Sequence, residues 1–248
     1  MYLALRYFLG VFFVLPSIGL AASISLLQGN SYKTYAGKTV SKNVITIDHY
    51  GDWSYGNVYF FYDISNGYEA QDRSEFFGSI SPSFSMNKIF NKPAGQGLLR
   101  DILVKTELEQ VSGASHVYYY GLTWDLNIRK FAVANISTVI RDDAVKPGVG
   151  GQLNAFWIFP FAKKYFFTGF LASGLIPEHK DYVFLMTQPQ ILYDASEWID
   201  AEVGSTQVGV EYSYGLNRYL KKGVRDANGT PDPGFNEQVI QAMLKLVY

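Results

Sequence analysis

Across residues 240–248 the chain changes character at every step. Ile240, Ala242, Leu244, Leu246 and Tyr248 fall in one set, and Gln241, Met243, Lys245 and Val247 in the other. Successive side chains of an extended chain point to opposite faces, so a period of two separates the sets. An apolar face running to an aromatic terminus suits a closing strand whose outer side meets lipid and whose end lies at the membrane interface. The expectation is therefore an all-β fold, a transmembrane antiparallel β-barrel of the Gram-negative outer membrane.

The only long apolar run is N-terminal. Arg6 flanks it, residues 7–20 form its core, and Gly19-Leu20-Ala21 offers small residues for cleavage. This reads as a secretory signal peptide, residues 1–21, with residues 22–248 as the barrel. The alternative is a helical anchor, for which the run is short and is interrupted by Pro16 and Gly19. No later run approaches ~18 apolar residues, the length of a helical span. The mature chain can then enter a bilayer only as strands closed into a cylinder, because a free sheet edge does not survive in hydrocarbon. Aromatics make up 17% of the chain, enough for two interfacial girdles, although mean hydropathy is zero. A formal net charge of −1 gives no electrostatic reason for a nucleic-acid partner. The absence of cysteine removes disulfides and thiolate metal sites.

Period-two segments separated by turn chemistry number twelve, near residues 24–32, 42–50, 57–64, 75–86, 101–110, 116–126, 131–141, 150–161, 165–174, 184–194, 205–215 and 237–248. The clearest place Val58, Phe60, Tyr62 and Ile64 against Asn57, Tyr59, Phe61 and Asp63, and Ile102, Val104, Thr106 and Leu108 against Lys105, Glu107 and Glu109. Tyr118, Tyr120, Leu122 and Trp124 likewise oppose Thr123 and Asp125. A charge facing lipid at mid-depth costs about 2–4 kcal/mol, so the polar sets belong inside. Pro82 and Pro189 fall within segments and predict bulges or a tilted wall. Residues 195–202 could form one helical turn. With both termini on the periplasmic side, connections should alternate short and long. Residues 111–115 are short for an outer loop, and 87–100 long for an inner turn.

Several blocks resemble the Tsx-type nucleoside-specific channels. They are ISLLQGNSY (24–32), ITIDHYGDWSYGNVYFFYDISNG (45–67), SPSFSMNKI (81–89), LTWDL (122–126), TQPQILYD (187–194) and GVEYSYGLNRY (209–219). The resemblance implies a monomeric twelve-stranded barrel that passes nucleosides by diffusion, with no cofactor, and whose outer loops can receive bacteriophage. Tyr248 stands where such barrels usually end in Phe.

A nucleoside is a flat π-surface joined to a hydroxyl-rich sugar, without charge. A selective pore would offer rings for the base and carboxylates or amides for the polar edges. Inward candidates are Tyr59, Phe61 and Tyr119 for stacking, and Asp63, Glu75, Glu107, Asp125 and Glu211 as acceptors. Arg141, Asn154, Lys105, Gln152, Gln188 and Gln190 are candidate donors. The alternative role for each charge is to pair with another and fill the lumen. Trp53, Trp124, Trp157 and Trp198 suit interfacial anchoring better than ligand contact. Catalysis has little support. His49, His116 and His179 lie in no metal-binding spacing, and no nucleophile elbow occurs. Ser115 and His116 are strand neighbours that point apart. Only His179 near Asp181 leaves room for a hydrolase. A surface-binding or structural barrel without transport is the other alternative.

Overall fold

Each alternating segment becomes one stave of a closed sheet. The computed structural model describes residues 21–33, 38–66, 74–112, 115–144, 148–175, 183–217 and 236–248. All of the signal-peptide segment but Ala21, most of the outer loops, His179 and Asp181 lie outside the described residues. The strands are β1 (Ala21–Lys33), β2 (Thr39–Trp53), β3 (Gly56–Asn66), β4 (Ser74–Ser85), β5 (Leu99–Val111) and β6 (Ser115–Leu126). They continue as β7 (Val133–Asp143), β8 (Val149–Phe161), β9 (Tyr165–Leu175), β10 (Val183–Thr187), β11 (Gln190–Asp194), β12 (Thr206–Leu216) and β13 (Glu237–Val247). Neighbours pair antiparallel in chain order, and β13 pairs with both β12 and β1, which closes the cylinder.

β10 and β11 are halves of one stave, so the barrel has twelve. Pro189 interrupts the strand, yet Leu171 faces Thr187 and Thr168 faces Gln190 without a slip in register. The ladder continues across the break, because Gln188 N–H donates to the Phe170 carbonyl and the Pro189 carbonyl accepts from Tyr212 N–H. Gly169 makes this possible: a Cβ there would lie 2.6 Å from the Gln188 carbonyl oxygen and 2.8 Å from the Pro189 Cα.

Burial runs inside-out. In β13 Val239 is 1% exposed and Gln241 2%, whereas Ile240 between them is 71% exposed. The same inversion hides Ser79, Ser81, Ser83 and Ser85 while Ile45, Ile47, Ile80, Leu122 and Ile140 face outward. In water this distribution would forfeit the hydrophobic drive to fold. In a bilayer it is the required one, since lipid takes the aliphatic face and the closed sheet leaves no free edge. One polar pair on the outer face is matched across a bare glycine. Tyr62 crosses the bare Gly78 to donate to Gln110 Oε1 at 2.9 Å, and a Cβ on Gly78 would meet the Tyr62 ring at 2.6 Å.

At the end bearing the termini, ring contacts chain together from Phe131 through Phe159, Phe161, Tyr165 and Tyr193 to Trp198, with centroids 5.0 to 6.0 Å apart. This is one interfacial girdle. Trp198 lies in a single 3-10 turn, Ser196–Ile199, where a turn is expected. The turn is anchored by Asp194, whose carboxylate accepts from Ser196 N–H and hydroxyl and from Gly204 N–H. Beside it Lys164 pairs with Glu197, and that hydrogen bond holds the Lys164 ammonium above the ordinary lysine range.

Both doubtful connections are explained by local structure. β5 and β6 are joined by a tight hairpin, with Val111 facing Ser115. The long inner connection carries a one-turn helix, Met86–Ile89, capped by the Ser85 hydroxyl, which accepts from Lys88 N–H at 3.0 Å. Lys88 then reaches back to Asp52 at 2.7 Å and to the Gly56 carbonyl at 2.8 Å, so this segment clasps the β2–β3 turn.

Candidate functional site

The lumen is lined by alternate residues of every stave, and the strand registers set which ones. On β3, Tyr59, Phe61 and Asp63 face inward opposite Tyr50, Asp48 and Thr46 of β2. The serines of β4 are small and leave room for the rings β3 projects. Phe61 packs against Phe77 of β4 with centroids 5.5 Å apart, and Tyr59 lies 6.1 Å from Phe61. Tyr59 also meets Phe156 of β8, at 6.5 Å. β3 and β8 are not neighbours, since four staves separate them one way and six the other. Twelve tilted staves spaced ~4.8 Å apart enclose a cylinder roughly 20 Å or more across. Rings from such distant staves meet here because both project inward and reach across the lumen. The result is an aromatic crossbar that divides the lumen.

Most charged candidates already have protein partners. Glu75 pairs with Lys42 at 3.4 Å, Glu107 with Lys105 at 2.9 Å and Asp125 with Arg100 at 3.6 Å. Asp63 accepts the Thr46 hydroxyl at 2.6 Å. Glu211 is held by two amides, Gln190 Nε2 at 2.6 Å and Gln241 Nε2 at 2.7 Å, and Tyr32 donates its hydroxyl to Gln241. This hydrogen-bonded row crosses the seam between β1 and β13. Gln188 is turned toward the Ser213 hydroxyl at 3.3 Å. Tyr119 is 3% exposed and donates to Glu109 at 3.2 Å. Arg141 lies 3.7 Å from Asp143, and Asn154 Oδ1 accepts from Gln152 Nε2 at 2.8 Å.

The structure thus gathers Tyr59 and Phe61 at the crossbar, and Tyr119, Arg141 and Asn154 in the outer half of the β6–β8 wall. Glu75, Glu107, Asp125 and Glu211 sit in separate pairings around the wall. Sequence reasoning passed over Phe77, Phe156 and Phe184. Each shares strand parity with a named residue (Phe77 with Glu75, Phe156 with Asn154, Phe184 with Gln188), so extending the alternation by two or four would have found them. Among the described residues, inward carboxylates outnumber inward cations: Asp48, Asp101 and Glu237 join those named above, against Lys42, Arg100, Lys105, Arg141 and Lys245.

Trp53, Trp124 and Trp157 face outward in the registers of their strands, and none lines the lumen. His49 packs on Phe60 and His116 on Tyr118, at 5.3 and 5.4 Å. Among the described residues no cluster of His, Asp or Glu could hold a metal ion. A groove of about 450 Å³ lined by Ile80, Pro82, Leu108, Tyr118 and Tyr120 lies on the outer wall and opens toward lipid.

No protein-family model matches the chain, and no curated protein sequence does. Solved structures do. A KdgM porin aligns over 91% of this chain and 99% of its own, with a TM-score of 0.50 and 10% identity. A KdgM porin in complex with disordered oligogalacturonate aligns over the same shares, with a TM-score of 0.49 and 10% identity. The likeness is one of fold. It agrees with the closed antiparallel barrel, which with its apolar belt makes this an integral outer-membrane β-barrel.

Proposed function

We propose that the protein is a passive, selective channel for nucleosides or similarly sized uncharged solutes with a flat ring face. The crossbar carries this reading. A solute crossing the waist must pass between or beside Tyr59, Phe61, Phe77 and Phe156, which offer π-faces and little else. Each favourable ring pairing contributes about 0.5–1.5 kcal/mol, enough to select and weak enough to release. The inward excess of carboxylate over cation disfavours anionic solutes, and the hydroxyls and amides beside the rings suit a sugar. The Tsx-type resemblance points the same way. In this reading residues 1–21 are a secretory leader, the barrel works as a monomer without a cofactor, and its outer connections offer a surface to bacteriophage.

Reconstitution in a planar bilayer tests the channel. A small conductance reversibly reduced by adenosine or thymidine is expected. Phe156→Ala should raise conductance about twofold and weaken the block several-fold, because it removes one side of the crossbar. Ring contact across the lumen also favours a second reading, a structural barrel closed to flow. A silent membrane in both wild type and Phe156→Ala would decide for that reading.

A further inference from the structure

We infer that Arg141 and Gln152 form a recognition station for a flat, uncharged solute bearing a cis-amide edge, a carbonyl beside an N–H. The inference rests on the channel reading above and adds a ligand chemistry to it.

The station is built from five adjacent staves, β6 to β10. On β7 and β8 Arg141 faces Gly150 and Val139 faces Gln152, so Arg141 and Gln152 are inward diagonal neighbours. On β9 Gly174 stands opposite Gln152, and on β10 Phe184 stands opposite Gly174. Two of these inward positions are glycine, which recesses the wall. Phe184 leans into the recess, since a Cβ on Gly174 would meet its ring at 3.0 Å. The Arg141 guanidinium spans the gap, 5.6 Å from the Phe184 ring and 5.8 Å from the Tyr119 ring of β6.

Two polar atoms here are left over. Arg141 Nε and Gln152 Oε1 are both buried, and neither has a hydrogen-bond partner among the described residues. The Gln152 Nε2–H is committed to Asn154, so its oxygen is the group presented. Buried donors and acceptors are normally paired, and an unmet donor diagonal to an unmet acceptor is uncommon. A single solute edge answers both: its carbonyl accepts from Arg141 Nε, and its N–H donates to Gln152 Oε1. The ring of Phe184 supplies a face for the rest of the solute. A phosphate or carboxylate fits poorly, because Asp143 already stands 3.7 Å from the guanidinium and Gln152 Oε1 would repel an anion. The edge required is that of a uracil-type ring.

Current block by two probes tests this on the intact protein. Uridine carries the C=O/N–H edge. 3-Methyluridine keeps the ring, the sugar and the neutral charge, but replaces the N–H by a methyl group. Wild type should bind uridine about tenfold more tightly, the effect of leaving a buried acceptor unpaired. Gln152→Leu should erase the difference by lowering uridine to the level of 3-methyluridine, and Arg141→Met should weaken both. Equal block by the two probes in wild type overturns the station and leaves the channel reading standing. Block by neither overturns both.

Discussion

Pro82 removes one N–H from the β4–β5 ladder, and two hydroxyls repair the gap. Ile80 faces Leu108 and Ser83 faces Lys105 on either side of it. Between them Thr106 Oγ1 donates to the Pro82 carbonyl at 3.1 Å, and Ser81 Oγ donates to the Thr106 carbonyl at 3.3 Å. Thr106 points toward lipid, where a carbonyl without a donor has no water to turn to. Thr106→Val keeps the shape and removes the donor. It should lower the stability of the folded barrel by about 1–2 kcal/mol, read from the urea unfolding midpoint in lipid vesicles. An unchanged midpoint would refute the repair. The interruption at Pro82 was legible in the sequence. Its remedy was not, because the partner of a hydroxyl on another stave depends on a register that only the folded sheet sets.

At the scale of elements, the alternation located the staves closely and the connections poorly. β3, β5, β6 and β13 keep the inward and outward sets read from their sequences, because a period of two leaves no freedom once one face must meet hydrocarbon. Connections carry no such period. The capped helix at Met86–Ile89 and the tight β5–β6 hairpin were therefore the two places where the pattern looked wrong. The β8–β9 turn shows a further local feature. Ala162 and Lys163 both hold positive φ, at 46° and 62°, without a glycine. A left-handed residue with a side chain is disfavoured by about 1–2 kcal/mol, against a smaller entropic loss on introducing glycine. Ala162→Gly should therefore stabilise the barrel, by about 0.5–1 kcal/mol in the same unfolding assay. A loss of stability would mean that the methyl group packs usefully against the girdle.

Over the whole molecule, the crossbar was the part least legible in the sequence. Tyr59 and Phe61 could be named as inward rings from β3 alone. The meeting of Tyr59 with Phe156 depends on which staves the closed cylinder sets across from one another, which no local pattern records. The charge distribution has a similarly collective effect. A lumen whose described carboxylates exceed its cations should pass potassium more readily than chloride. The reversal potential across a potassium chloride gradient should carry the sign of cation preference, and the opposite sign would mean that other charges govern the pore. The row Gln190–Glu211–Gln241–Tyr32 bears on how such a cylinder is made. The first and last staves pair although the rest of the chain lies between them. Displacing β1 against β13 by one residue would turn Tyr32 away from the lumen, and by two would take its hydroxyl away from Gln241. The junction thus carries a polar mark for one alignment, and any other leaves the Gln241 carbonyl oxygen without its Tyr32 donor.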